Sequence, residues 1–165
     1  MTHPPTTCSV CRAPMHEGDR GVAELIHERT HECCDTESRN RPTRGRVLAV
    51  DDDAAVGATV YEVLSEWGYI VRTASGGTQA LSLIPTFKPD VVLLDVMMSG
   101  LSGDEVLDRL HAEYPGIPVV MVTAIADAAR ARALLYRGAF DFIPKPFDLT
   151  VLQRAVDAAI VSRRS

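Results

Sequence analysis

The sequence predicts an α/β fold, a doubly wound (βα)5 sheet of five parallel strands, and two observations carry that expectation. From Arg46 onward, short apolar runs alternate with segments of helical period, the pattern of successive βαβ units with right-handed crossovers. Several of the apolar runs are rich in Val and continuous, as in strands covered on both faces. Strands are expected at Val47–Val50, Tyr69–Ala74, Val91–Leu94, Val119–Thr123 and Asp141–Ile143. The first helix, Ala54–Trp67, puts Val56, Val60, Val63, Leu64 and Trp67 on one side and stops at Gly68. Gly77–Ile84 is a shorter helical pattern. Asp104–Tyr114 groups Val106, Leu107, Leu110 and Tyr114 ahead of Pro115, Ala128–Tyr136 ends near Gly138, and Leu149–Val161 closes the series.

Composition sets the outer bounds. The 165 residues are 46% hydrophobic and 24% charged, with a net charge of −5. That length suits one domain of about 100–200 residues and excludes collagen-like, fully disordered and disulfide-scaffold classes. No apolar run approaches the roughly 18–20 residues of a membrane span. The Met-Thr-His-Pro-Pro start lacks the features of a secretory signal, so a cytoplasmic protein without membrane contact is expected. Residues 1–45 hold only 12 hydrophobic residues, four of them cysteines, and are expected to form a flexible extension. The folded domain is expected over residues 46–165, after the polar stretch from Arg39 to Gly45. No basic stripe runs through either part, which argues against nucleic acid as a partner. The last helix reaches nearly to Ser165, which is expected to leave no room for a C-terminal DNA-binding or catalytic domain.

Ligands of open α/β sheets bind at the carboxyl ends of the strands, near the point where strand order reverses. Asp51, Asp52 and Asp53 follow the first strand, Asp95 the third, Thr123 and Ala124 end the fourth, and Lys145-Pro146 follows the fifth. In the order 2-1-3-4-5 the first and third strands are neighbours, and their carboxylates share one crevice. Like charges that close raise one another's pKa or need a counter-cation, and a hard, oxygen-liganded ion such as Mg²⁺ suits them. A cation, an ammonium, a hydroxyl and a carboxylate nucleophile together meet the needs of phosphoryl transfer.

Four blocks in order make the reading sharper. Val47-Leu48-Ala49-Val50-Asp51-Asp52-Asp53, Val91-Val92-Leu93-Leu94-Asp95-Val96-Met97-Met98, Met121-Val122-Thr123-Ala124 and Phe142-Ile143-Pro144-Lys145-Pro146-Phe147 resemble the signatures of the receiver domain of two-component response regulators. The resemblance runs from Arg46 to about Arg163. It implies a flavodoxin-like sheet with Asp95 as phosphoacceptor. It also implies Mg²⁺ held by Asp52 and Asp95 directly, by Asp51 through water and by the main-chain carbonyl of Met97. Thr123 is implied to bond a phosphoryl oxygen, Lys145 to pair with the phosphoryl charge, and Phe142 to act as an aromatic switch. Lys145-Pro146 is implied to be a cis peptide. The implied partners are a histidine kinase or phosphotransfer protein that donates from phosphohistidine, and a downstream protein the sequence does not identify. The chain is then no enzyme beyond its own phosphorylation and dephosphorylation. Two departures stand out: Ser99 occupies a position where the family commonly has Pro, and Phe142 lacks the hydroxyl of the commoner Tyr.

Other residues read more plainly. Asp53 is expected to cap the first helix. Gly100 and Gly103 are expected to be loop glycines with positive φ and no chemistry, Trp67 and Tyr69 to be packing residues, and Gly76-Gly77 a turn. An alternative function is a Mg²⁺-dependent phosphatase with an aspartyl nucleophile at Asp51, since Asp51-x-Asp53 fits an acid-x-acid motif. That reading leaves Asp95 without a role and has Ala55 where Thr or Val is expected. Finally, Cys8-x2-Cys11 with His31 and Cys33 has a spacing that suits a small zinc site. The second half is not another C-x2-C, however, and adjacent Cys33 and Cys34 rarely both bind one ion. Reduced thiols without stoichiometric metal are expected.

Overall fold

Alternating side chains and their burial set the architecture. In the computed structural model, which describes residues 43–124 and 127–164, five strands form one parallel sheet. They are β1 (Arg46–Val50), β2 (Ile70–Ala74), β3 (Val91–Asp95), β4 (Val119–Thr123) and β5 (Asp141–Pro144). The order is β2-β1-β3-β4-β5, that of the flavodoxin-like sheet the resemblance implies. The intervening helices are α1 (Ala54–Glu66), α2 (Gly77–Phe87), α3 (Gly103–Glu113), α4 (Ala128–Tyr136) and α5 (Leu149–Arg164).

Each strand feeds two cores, because successive side chains point to opposite faces. Val47, Ala49, Leu93, Val120 and Val122 join Val60 and Leu64 of α1 and Leu152, Val156 and Ile160 of α5. Leu48, Val50, Val92, Leu94 and Met121 join Ile84 of α2, Val106, Leu107 and Leu110 of α3 and Leu134 of α4. Every residue of β3 and β4 is buried, which is why their sequences run apolar without alternation.

Local chemistry sets the ends. Asp53 caps α1 by accepting from the Ala55 N–H at 2.9 Å, the role expected of it, and Asp127 caps α4 by accepting from Ala129. Ser102 and Glu105 form a capping box at the start of α3. The helix α2 runs three residues beyond the expected Ile84, through Pro85, and ends at Lys88 in a left-handed conformation with φ 51°. A proline in the final turn removes one backbone donor, and Phe87 beyond it still packs on the core. The last helix likewise continues past Val161 to Arg164, with Arg163 and Arg164 in its final turn.

At the amino-terminal edge of the sheet, the compact unit begins at Arg44. Its guanidinium pairs with Asp157 of α5 at 2.7 Å and lies 5.0 Å from the centroid of the Tyr69 ring. The Tyr69 hydroxyl donates to the same carboxylate. Tyr69 is thus a buried packing residue, as expected, and also a hydrogen-bond donor. Trp67 is half-buried against the α1–α5 core. Among the described residues no helix is long and apolar enough to cross a membrane. Cys8, Cys11, His31 and Cys33 lie outside the described residues.

Candidate functional site

Strand register builds the site. Val50 pairs with Leu94, so Asp51 and Asp95 leave neighbouring strands at the same level. Asp95 pairs with Val122, and Thr123 with Pro144, which brings Thr123 and Lys145 to the same edge. The structure therefore gathers Asp51, Asp52, Asp95, Thr123 and Lys145 at the carboxyl ends of the three central strands and β5, where open α/β sheets bind ligands.

One oxygen from each of Asp51, Asp52 and Asp95 lies within 4.8 Å of the others. Asp95 is only 5% exposed and Thr123 is fully buried, whereas Asp52 is exposed. The Lys145 ammonium bridges two of the acids, donating to Asp51 Oδ2 at 2.5 Å and to Asp95 Oδ2 at 3.1 Å. Burial pulls its pKa down, but hydrogen bonds and charge from Asp51 and Asp95 outweigh that, and the net shift is upward. Lys145 is thereby held as a cation. Its own N–H donates to the Thr123 carbonyl at 2.7 Å, and the Lys145-Pro146 peptide is cis, as the resemblance implies.

Backbone amides orient the carboxylates. The Asp53 N–H donates to Asp51 Oδ1 at 2.9 Å, the Met97 N–H to Asp95 Oδ1 at 3.2 Å, and the Ser99 N–H to Asp52 Oδ2 at 3.1 Å. The Met97 side chain is 62% exposed at the rim. Phe142 is half-buried and packs on the core beneath α2, α3 and α4. Asp53 stands apart from the acidic cluster, its carboxylate committed to the α1 cap.

The glycines divide. Gly100 has φ +79°, as expected of a turn glycine. Gly103 does not have positive φ; it opens α3, and a β-carbon there would strike the Asp95 carbonyl oxygen and sit 2.7 Å from Val96 Cα. Its N–H donates to the Val96 carbonyl at 3.1 Å, closing the loop that carries Met97 and Ser99. Gly103 therefore matters to the site through close approach rather than through φ. Just beyond it, Asp104 Oδ2 accepts from Arg130 at 2.6 Å and Arg137 at 2.7 Å, which tie α4 to α3. Asp104 Oδ1 is buried without a hydrogen-bond partner. The capping box had a readable signal, Ser102-x-x-Glu105, whereas the close approach of Gly103 had none in a single sequence.

A five-stranded 2-1-3-4-5 sheet with an acid cluster, a threonine and a lysine at its carboxyl edge defines a class, and comparison with known proteins agrees. Residues 47–157 match the response regulator receiver domain family, and the chain belongs to it. The response regulator MprA of Mycobacterium leprae is 39% identical over 115 residues, which cover 70% of this chain and 50% of that protein. The DNA-binding transcriptional regulator NtrC of Klebsiella pneumoniae is 35% identical over 117 residues, covering 71% and 25%. The chain thus spans half or less of the length of these relatives. Among solved structures, the receiver domain of the Francisella response regulator 1452 aligns with a TM-score of 0.68 at 29% identity, covering 71% of this chain and 97% of that one. A CheY-like receiver domain protein from Methanospirillum hungatei aligns with the same score at 28% identity, covering 72% and 95%.

Proposed function

We propose that this receiver domain accepts a phosphoryl group on Asp95 from a phosphohistidine of a histidine kinase or phosphotransfer protein and signals through protein contacts. The observation that carries the proposal is the buried Asp95 carboxylate, flanked by two further acids and reached by Lys145. The donor set fits Mg²⁺, since three carboxylates offer oxygens within 4.8 Å and oxygen is what that ion prefers. Asp51, Asp52, Asp95 and the main-chain carbonyl of Met97 would hold it. Bound there, Mg²⁺ neutralises carboxylate and phosphoryl charge.

The residues divide the chemistry. A carboxylate oxygen of Asp95 attacks phosphorus, the P–N bond to the donor imidazole breaks, and the electron pair leaves with the imidazole. The Asp95 side chain becomes an acyl phosphate. Lys145, already beside Asp95 Oδ2, pairs with the new phosphoryl charge, and the Thr123 hydroxyl bonds a phosphoryl oxygen. The half-buried Phe142 then moves inward as Thr123 shifts, changing the surface near α4 and β5 that a downstream protein reads. Hydrolysis of the acyl phosphate resets the domain, and the chain catalyses no reaction beyond this turnover. The DNA binding in the name of NtrC is a property of that longer protein. Charge balance argues against nucleic acid as a partner of the present chain, and a cytoplasmic site of action follows from the proposed donor.

The phosphatase reading lacks support, because Asp53, its second acid, caps α1. Acetyl phosphate with Mg²⁺ tests the proposal: the wild type should take up phosphoryl groups, and EDTA or Asp95→Asn should abolish uptake. Uptake by Asp95→Asn at the wild-type rate would refute it.

A further inference from the structure

Among the three clustered acids, Asp52 is held differently. Asp51 and Asp95 are each fixed twice, by a backbone N–H and by Lys145. Asp52 is exposed, and among the described residues the hydrogen bond its carboxylate accepts comes from the Ser99 N–H. That donor lies on the loop after β3, 47 residues away in sequence, just before the turn at Gly100. Ser99 stands where proline is common in this family, and a proline has no N–H to donate. The bond to Asp52 is thus available only because residue 99 is not proline.

We propose that Ser99, through its main-chain N–H, is a positioning residue for Asp52 that raises the affinity of the acidic site for Mg²⁺. The proposal rests on the Mg²⁺-dependent phosphoacceptor reading given above. Without the ion, Asp52 faces two carboxylates whose charge the single Lys145 ammonium offsets only in part, and it has open solvent to rotate into, so the remaining repulsion pushes it out of the site. The Ser99 N–H opposes that rotation by engaging Oδ2, and leaves Oδ1 free for a cation. A carboxylate held in place before the ion arrives loses less freedom on binding it. Outer-shell hydrogen bonds to metal ligands act in this way elsewhere. The hydroxyl of Ser99 has no part in the effect, so alanine should replace serine and proline should not.

The test is Mg²⁺ binding to the unphosphorylated protein, followed by calorimetry and by amide NMR shifts. Ser99→Pro should weaken binding by about three- to tenfold, less than the roughly 10–100-fold typical of outer-shell partners because Asp52 is exposed. Ser99→Ala, the conservative variant, should bind within about twofold of wild type, since it retains the N–H. In an Asp52→Ala background, Ser99→Pro should make no further difference, because the two changes act on one interaction. A measurement free of proline runs alongside. In EDTA, the Ser99 amide should lose its hydrogen-bonded shift and its exchange protection in Asp52→Ala. Wild-type affinity in Ser99→Pro, equal weakening in both backgrounds, or an unchanged Ser99 amide would overturn the inference while leaving phosphorylation of Asp95 intact. Absence of Mg²⁺ binding by the wild type would overturn the parent reading as well.

Discussion

Replacing Asp95 by asparagine should stabilise the metal-free protein, although most substitutions of a buried group destabilise. Asp95 lies within 4.8 Å of ligand oxygens on both Asp51 and Asp52, and its Oδ2 is 3.1 Å from the Lys145 ammonium. At an effective dielectric constant of about 20, each repulsion is at least about 3.5 kcal/mol and the attraction about 5.4 kcal/mol. Neutralising Asp95 therefore relieves about 1.5 kcal/mol of net repulsion by the same Coulomb scale. Ending the burial of a charge that is 5% exposed adds to the gain. Weakening the bond from the Met97 N–H, which loses its charged acceptor, opposes it by about 1 kcal/mol. The expected gain is about 1–2 kcal/mol, because the charges separate in the unfolded chain. Urea melts at neutral pH in EDTA measure it as a raised midpoint with an unchanged slope. Mg²⁺ should stabilise the wild type by about 1.4 kcal/mol at ten times its dissociation constant and the variant by less, since a ligand is lost. A variant less stable than wild type in EDTA, or equal stabilisation of both by Mg²⁺, would show that the three carboxylates do not share one site.

Burial, reinforced by the hydrogen bond to Asp157, raises the pKa of Tyr69 well above the usual 10.0. Its stabilising contribution is full below that ordinary value and is lost as pH rises toward the folded value, so stability should fall above about pH 10. Tyr69→Phe should flatten that decline in denaturant melts, and an unchanged slope would refute the assignment. Gly103→Ala should destabilise by about 2–3 kcal/mol and slow labelling by acetyl phosphate, because the new methyl group meets the backbone of Asp95 and Val96. Native stability in thermal melts would contradict this. Asp104→Ala should cost about 1–2 kcal/mol, since Arg130 and Arg137 are each more than a third exposed and water screens the pairs. Hydrogen exchange should show the loss concentrated in α4, and uniform loss across the sheet would count against the tie between α3 and α4.

The sheet was legible because buried parallel strands carry nearly continuous apolar runs, and Val47–Val50, Val91–Leu94 and Val119–Thr123 did so plainly. Helix ends were less legible where a breaker residue was outweighed by packing. The helical pattern was expected to end at Ile84, just before Pro85, yet Phe87 still finds the core, and α2 continues. The site residues were legible as types at strand ends, since register follows from strand order once five strands are assigned. Contacts made by the backbone were not. The Ser99 N–H that reaches Asp52 and the absence of a side chain at Gly103 depend on the path of the β3–α3 loop, which leaves no periodic mark in sequence. The pairing of Asp104 with Arg130 and Arg137 joins two helices, and only their packing on one face of the sheet brings the charges together.

The central claim is that Asp95, and neither Asp51 nor Asp53, carries the phosphoryl group. Borohydride reduction reads this directly, because it converts an aspartyl phosphate to homoserine at the position that was modified. Protein treated with acetyl phosphate and Mg²⁺, reduced, digested and sequenced by mass spectrometry should show homoserine at position 95 and none in the EDTA control. Homoserine at position 51 or 53, with residue 95 intact, would contradict the account.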